Sequence, residues 1–471
     1  MINSTAIDLL KTLSKEEFSE LGLFISSPFF NTHKPVILCF EFIKKYFDDF
    51  DNPDFTKENL FKKIYPGKTY NDTNVRVNLS AILKLAESYL LHKSNDANEF
   101  DNYLLLAKDA FKRSLYKFEE KHIKSCEEIL DKKAFLDETY FYDKFSLENT
   151  KTQQRKTEDQ YQYISSIQVA NENLTRFYFS KLLRNYVLIL NEKFTVEIDY
   201  DVSSVNSVIE MAEKYDFSDY PSIMLYMNLM QMFLTHDMQY YYKAKELFFE
   251  QGSEMDDNEK FNIYVYLTNF LFKKHIEKLE PEYINECLTV QLHQLDAKIF
   301  GGKYLSYTLY TNIINTAVRT HDYEVTEEII HKYKDFLSPK NRQSFYEYAL
   351  ASNYYRQGKF TEAMEIFIKT KPVDVFYDLG IKGTLLRIYY ELSYYENAFS
   401  LVSTYKHTVK SPLLKPADRT FFSKFVTYYL KLLKIKSGTD KSEAQELKHF
   451  IEKEPPFTSK SWLLQKVKEL R

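Results

Sequence analysis

Few side chains in this 471-residue chain stand at spacings that could do chemistry. Pro66-Gly67-Lys68-Thr69 ends like a phosphate-cradling loop, whose backbone amides curl around phosphate at a strand-to-helix turn. That loop needs glycine five residues before its last glycine, where Lys62 stands, and here the segment before it reads as a helix. Gly301-Gly302-Lys303-Tyr304 departs twice, with Ala297 for the first glycine and Tyr304 for Ser or Thr. It reads instead as a helix stop that lets Tyr304 begin the next helix. His122-x3-Cys126 sets two metal-ligating types one helical turn apart, but zinc takes three or four ligands and no second pair of matching spacing follows. The pair reads as a partly buried thiol beside a surface histidine. Asp48-Asp49-Phe50-Asp51-Asn52-Pro53-Asp54 lacks the sixth-place glycine of a calcium loop and puts Leu60 where a bidentate carboxylate belongs, so it reads as a solvated turn. There is no His-Glu-x-x-His, no Gly-x-Ser-x-Gly and no nucleophile spaced to meet a base. The chain therefore reads as non-enzymatic, without a cofactor or a metal.

The elements that carry these residues read as helices throughout. Between Lys68 and Tyr220 the chain has neither glycine nor proline, and a strand-rich fold of that length needs turn residues with positive φ. Helices joined by short polar turns do not. The 39 tyrosines and 38 phenylalanines, against one tryptophan, supply large flat surfaces of the kind that fill spaces between stacked helices. A net charge of −4 from 63 basic and 67 acidic residues, finely mixed, disfavours nucleic-acid or anionic-membrane binding, which calls for a clustered basic excess. Cys39, Cys126 and Cys287 are far apart and odd in number, which fits a reducing compartment. The N-terminus lacks the basic start and apolar run of a signal peptide, and no apolar window is long enough to span a membrane. A cytoplasmic protein is expected.

Along the chain, residues 1–94 read as a compact all-helical cap. Ser14 and Glu17 form a capping box for a helix that stops at Ser27-Pro28. A second helix covers Val36 to Phe47, Thr56 caps a short helix to Ile64, and Asn71 or Asp72 opens one to about Leu91. Ser94-Asn95-Asp96-Ala97-Asn98 reads as a linker. In 95–235, divergent helical hairpins are expected: Tyr103, Leu106 and Ala110 on one helix face Ile123, Cys126, Ile129 and Leu130 on its partner. Asp159 to about Asn191 reads as one long helix or two joined at a kink, and Glu192–Asp199 alternates like a strand and reads as an extended linker. Residues 441–471 carry two short helices split by Pro455-Pro456.

A repeat occupies 236–440. Leu350-Ala351-x2-Tyr354 followed, past Gly358, by Ala363-x3-Phe367 reads as the end of one helix, a tight turn and a second helix. Leu385-Leu386-x2-Tyr389 with Ala398-x3-Val402 repeats it, as do Ile313-Ile314-x2-Ala317 with Thr326-x3-Ile330 and, more faintly, Tyr241-x2-Ala244-x3-Phe248. The spacing and the small residues resemble the tetratricopeptide repeat, clearest at about 340–405, although Tyr310, Glu347 and Lys382 stand where that family usually has Trp. The resemblance implies an all-α superhelix of helical hairpins, with 441–471 as its C-terminal cap. In the family the first helix of each hairpin lines a concave groove. Carried over, this selects Thr308, Thr311, Asn315, Val318 and Arg319, then Phe345, Tyr348, Ser352, Tyr355 and Arg356, then Gly380, Gly383, Arg387, Tyr390 and Glu391. Three arginines would then face one channel, beside Asn and Tyr side chains able to bind a peptide backbone. The implied partner is an acidic peptide or a free C-terminal carboxylate. A competing reading pairs these arginines with neighbours such as Glu347 and Glu391.

The function expected is an interaction scaffold that binds a peptide or partner helix in that groove. The alternative is a transcriptional regulator that uses 56–91, a short helix, a turn and a longer helix, as a winged-helix-like reader of DNA. Against it, the second helix carries Arg76 and Lys84 opposite Asp72 and Glu87, a net charge of zero where DNA demands a basic face.

Overall fold

The structure, a computed structural model, describes residues 2–96, 98–155, 160–196, 200–278, 280–438 and 443–470. It is all-α: 77% of it is helix, and pairing between extended segments is limited, among the described residues, to one isolated bridge between Leu305 and Leu337. The chain divides into two compact units, 1–178 and 179–471.

In the first unit, α1 (Thr5–Leu10), α2 (Lys15–Ser26), α3 (Lys34–Lys44), α4 (Lys57–Ile64) and α5 (Asp72–Asp96) surround a core that includes Ile7, Phe18, Leu21, Cys39, Ile43 and Leu60. The capping box forms: Ser14 Oγ accepts from Glu17 N at 3.1 Å, and the Glu17 carboxylate accepts from Ser14 N at 2.8 Å. The Ser94–Asn98 linker shrinks to a joint, because α5 continues through Asp96 and Asn98 already caps α6 (Glu99–Lys112). Of that segment, Ala97 lies outside the described residues. α6 packs against α7 (Tyr116–Asp131), followed by α8 (Glu138–Arg155). The buried face of α6 is Phe100, Leu104, Ala107 and Ala110, whereas Leu106 is exposed. Its apolar run 103–107 offers two registers, and the one chosen sets small Ala107 in the same core as Cys126 of α7, which lets the helices cross closely.

α9 (Gln160–Val196) is a single 37-residue helix. Residues 192–196 of the expected extended linker complete it, and 197–199 lie outside the described residues. Strand-like alternation loses there to tertiary packing, since Phe194 is buried against Phe233 and Phe270.

The rest of the second unit runs α10 (Val205–Ala212), α11 (Pro221–Thr235), α12 (Met238–Gln251), α13 (Asp257–Lys278), α14 (Pro281–Asp296), α15 (Tyr307–Arg319), α16 (Tyr323–Tyr333), α17 (Arg342–Arg356), α18 (Phe360–Lys369), α19 (Val375–Glu391), α20 (Tyr395–Val409), α21 (Pro416–Ser437), α22 (Ala444–Lys453) and α23 (Lys460–Glu469). Three successive hairpins, α15–α16, α17–α18 and α19–α20, fall on the three repeats read in the sequence. Each turn uses one left-handed residue, at His321, Gly358 and Ser393, and α11–α12 does the same at His236. Four turns of one geometry explain why only Gly358 was conspicuous: the others accept the strain of a non-glycine residue. At the crossings, Thr326, Ala363 and Ala398 are wholly buried, as is Ala244 in the fainter copy. Phe367 is buried with Ala363, whereas Phe360 stays half-buried, as does Tyr354, whose hydroxyl reaches out to Glu327 at 3.1 Å.

Buried tyrosines tie neighbouring helices through their hydroxyls. Tyr310, at the place usual for Trp in the resembled repeat, donates to the carbonyl of Ile330 at 3.1 Å; Tyr377 donates to Ser344 O at 2.5 Å and Tyr429 to Leu386 O at 2.6 Å. A phenol thus fills space as Trp would and also satisfies a buried carbonyl.

Candidate functional site: an arginine cluster beside an amide-lined cavity

The loop motifs have plain structural roles. Pro66-Gly67 turns the chain between α4 and α5, with Gly67 at φ +75°. Gly301 also needs a positive φ, and any side chain there would press on Phe261, 3.0 Å away. Tyr304 does not start the next helix, however. It lies exposed in the loop, and α15 begins at Tyr307, where Ser306 Oγ caps it by accepting from Leu309 N at 3.2 Å. His122 is not on the surface either: it is buried, stacked on Tyr103 with Phe118 edge-on, and neither ring nitrogen has a hydrogen-bond partner. Cys126 is wholly buried and points its thiol at Phe100 O, 3.7 Å away. Among the described residues no three His, Cys, Asp or Glu side chains converge as metal ligands, and no helix is long and apolar enough to cross a membrane.

What the second unit does assemble is positive charge. Arg319 ends α15, Arg356 ends α17 and Arg387 lies within α19. Arg319 sets its guanidinium 4.7 Å from the centre of the Phe272 ring on α13, and Arg387 sits 4.8 Å over Tyr355 on α17. Arg387 also donates from Nη2 to Thr384 Oγ1 at 2.8 Å and from Nε to Gly383 O at 3.4 Å, both on its own helix. Burial, and then the charge of Arg356, hold the Arg319 pKa below its usual value, so these two cations are close enough to oppose each other. Arg387 and Arg356 both act on the half-buried phenols of Tyr348 and Tyr355, partly offsetting the rise that burial imposes.

The expected neutralising pairs do not form. Glu391 is taken by Lys466 at 2.9 Å and by the Trp462 indole at 3.2 Å, and Glu347 accepts from Gln343 at 2.8 Å. Among the described residues no carboxylate lies within 4.0 Å of Arg319, Arg356 or Arg387. The aromatic faces of Phe272 and Tyr355 offset part of the charge of Arg319 and Arg387.

The remaining groove residues divide. Asn315 is exposed, and Thr311, Tyr348, Ser352 and Tyr355 are half-buried, on the same helices as the arginines. Tyr390 is a correction: it is buried, with its ring edge-on to Trp462 at 5.3 Å, because α23 folds back over the end of α19. Val318 and Phe345 are buried in the core as well. Gly380 faces the Tyr348 hydroxyl, which a Cβ would approach to 3.0 Å.

Beside Arg319 lies a cavity of about 330 Å³ that the sequence reading missed. Its walls come from α13, α14 and α15, including Asn269, Gln291, Gln294, Asn312 and Asn315, with Val265, Phe272 and Leu309 as apolar surface and no acidic residue in the lining. The signal was weak, because carboxamides spread over three helices have no spacing that a linear motif would reveal. Comparison with family models, curated proteins and solved structures returns no match to this chain.

Proposed function

We propose that this protein is a non-enzymatic interaction scaffold whose second unit binds an acidic peptide segment along the first helices of a tetratricopeptide-like array. In this reading 1–94 is an all-helical cap domain, 95–235 are divergent helical hairpins, 236–440 is the repeat array with 441–471 as its C-terminal cap, and the protein works in the cytoplasm. The observation that carries the reading is the set of three arginines on α15, α17 and α19, near one another and, among the described residues, without a carboxylate partner. Like charges brought together raise the free energy of the unliganded chain, and a carboxylate ligand relieves that opposition while taking bidentate hydrogen bonds. Stacking on Phe272 and Tyr355 holds two of the guanidinium planes in place, which lowers the ordering cost of binding. Tyr348 and Asn315 supply hydrogen-bonding groups for the peptide backbone.

The test is fluorescence anisotropy with labelled, C-terminally amidated peptides rich in Asp and Glu, against scrambled basic and neutral controls. The native chain should prefer the acidic set, and Arg356→Ala with Arg387→Ala should remove that preference. Equal binding of acidic and neutral peptides, or an unaltered preference in the double variant, would sink the groove assignment.

A further inference from the structure

The surface of the first unit sets an aromatic knob beside an aromatic hollow. Pro28 follows the end of α2, and the loop that leads on to α3 turns Phe29 outward to 86% exposure. That loop is held from below. Buried Asn31 donates from Nδ2 to Ile25 O at 2.9 Å and accepts from His33 N at 3.0 Å, while Phe30 N and Asn31 N both donate to Ser27 O. Phe30 stacks on Phe24 at 3.9 Å, and Phe29 stands edge-on to Phe30 at 4.9 Å, so the knob is braced from the side as well. Beside it lies a hollow of about 620 Å³, walled by Leu23, Phe24 and Phe30 and by Tyr89 and His92 of α5. Leu23 is 76% exposed, and Phe29 is not part of the lining. Single apolar side chains on a surface are ordinary, but a contiguous exposed patch edged with charge marks a contact.

The occupant follows from the features of this face. Knob and hollow share one rigid surface, and an isologous contact needs both halves on the same surface. Apart from His92, the charged residues of the lining are one acid and one amine, Glu20 and Lys93, 2.9 Å apart and both partly exposed. A face shaped for an acidic or a basic partner presents one sign. A face with both signs meets a turned copy of itself without setting like charges together. The braced loop also lowers the ordering cost of inserting Phe29.

We infer that the first unit pairs with a second copy of this chain about a two-fold axis, each Phe29 entering the hollow between α2 and α5 of the other protomer. Leu23 then packs beside the partner's Phe29, and Lys93 faces the partner's Glu20. Built on one knob and one hollow per copy, the contact is modest and forms and parts with concentration. The inference does not rest on the groove reading. Two paired chains carry two copies of the second unit, which makes the assembly bivalent toward any ligand that unit binds.

The test is sedimentation velocity of the full-length chain over a wide range of concentration. The mass should rise from one chain to two and level there. Phe29→Ser should weaken the pairing by about thirtyfold or more, as loss of an interface anchor does, and Leu23→Lys should weaken it too. Neither should lower the melting temperature, because both side chains are exposed. Hydroxyl-radical footprinting of the native chain gives a readout that needs no variant: oxidation of Leu23 and Phe29 should fall as the dimer forms. A chain that stays single at every concentration overturns the inference. So does a dimer in which Leu23 and Phe29 are oxidised as readily as in the monomer, since the copies then meet elsewhere. Mass that climbs past two chains overturns the two-fold arrangement in favour of an open head-to-tail contact. Anisotropy with acidic peptides on the Phe29→Ser chain tests the groove reading separately, and failure of either leaves the other standing.

Discussion

The guanidinium of Arg387 lies 4.8 Å above the ring of Tyr355, which ties the third repeat's first helix to the second's. The same guanidinium uses two of its nitrogens on Thr384 and Gly383 and, among the described residues, meets no carboxylate. With five N–H donors available, it stays placed and still has hydrogen bonds to give. A double-mutant cycle of Arg387→Met and Tyr355→Leu, followed by urea unfolding, should give a coupling of about 0.5–1 kcal/mol. A coupling of zero would mean that the stack does not hold Arg387 in solution.

The crossing of α17 and α18 provides a test of the repeat geometry. Ala363 is wholly buried beside Phe367, and Ala351 is wholly buried on α17. Ala363→Leu would add three carbons where the helices touch, at an expected cost of about 1–3 kcal/mol. Ala398→Leu, at the equivalent place on α20, should behave alike. If either variant keeps the native urea midpoint, the paired-helix crossing is misassigned.

His122 gives a pH prediction. Burial first, and then the charge of Lys121, lower its pKa from the usual value near 6.5, and neither ring nitrogen finds a partner. The unfolded chain therefore takes up this proton at a higher pH than the folded one. Stability tied to His122 is complete above about pH 6.5 and falls as the pH drops below that value toward the folded pKa. Between pH 7.5 and 5.5 the native chain should lose more of its urea resistance than His122→Phe, which keeps the stack on Tyr103 and has nothing to protonate. Parallel losses in the two proteins would show that other groups set the pH response.

Much of this architecture was legible because helices announce themselves locally. Ser14 and Glu17 fix the start of α2, Gly358 marks its turn, and Ala363 and Ala398 mark crossings at the repeat spacing. Features that depend on partners distant in sequence were not legible. Phe194 turned an apparent strand into the end of α9 by packing on Phe233 and Phe270. Trp462, 72 residues after Tyr390, removed that tyrosine from the surface. At the candidate site the sequence placed Arg319, Arg356 and Arg387 on three first helices through the repeat register alone. It left open whether Glu347 and Glu391 would neutralise them: Gln343 engages Glu347 from one turn away on the same helix, but Lys466 reaches Glu391 only through tertiary structure. Gln291 carried no signal at all: a lone glutamine on an amphipathic helix is unremarkable until residues of α13 and α15 are found to enclose a cavity with it.

Arg356 offers a test that separates a ligand-binding role from a structural one. It is exposed at the last position of α17, where a cation interacts favourably with the carbonyl end of the helix, a contribution of about 0.3–1 kcal/mol. Acting against that is its opposition to Arg319, whose pKa it lowers. These effects have opposite signs and similar origins, so Arg356→Gln should change folding stability by no more than about 0.5 kcal/mol. Binding follows a different sum, since an acidic ligand gains from every unneutralised cation along its path and loses one when Arg356 is removed. The expected result is native stability by urea unfolding together with clearly weaker, less salt-dependent retention of amidated acidic peptides. Arg356→Lys should fall between, because an ammonium keeps the charge and loses the bidentate fork. A structural arginine would show the reverse pattern, with stability lost first and binding only in proportion. If Arg356→Gln destabilises the chain while peptide affinity per folded molecule is unchanged, the arginine cluster serves the fold and the ligand lies elsewhere.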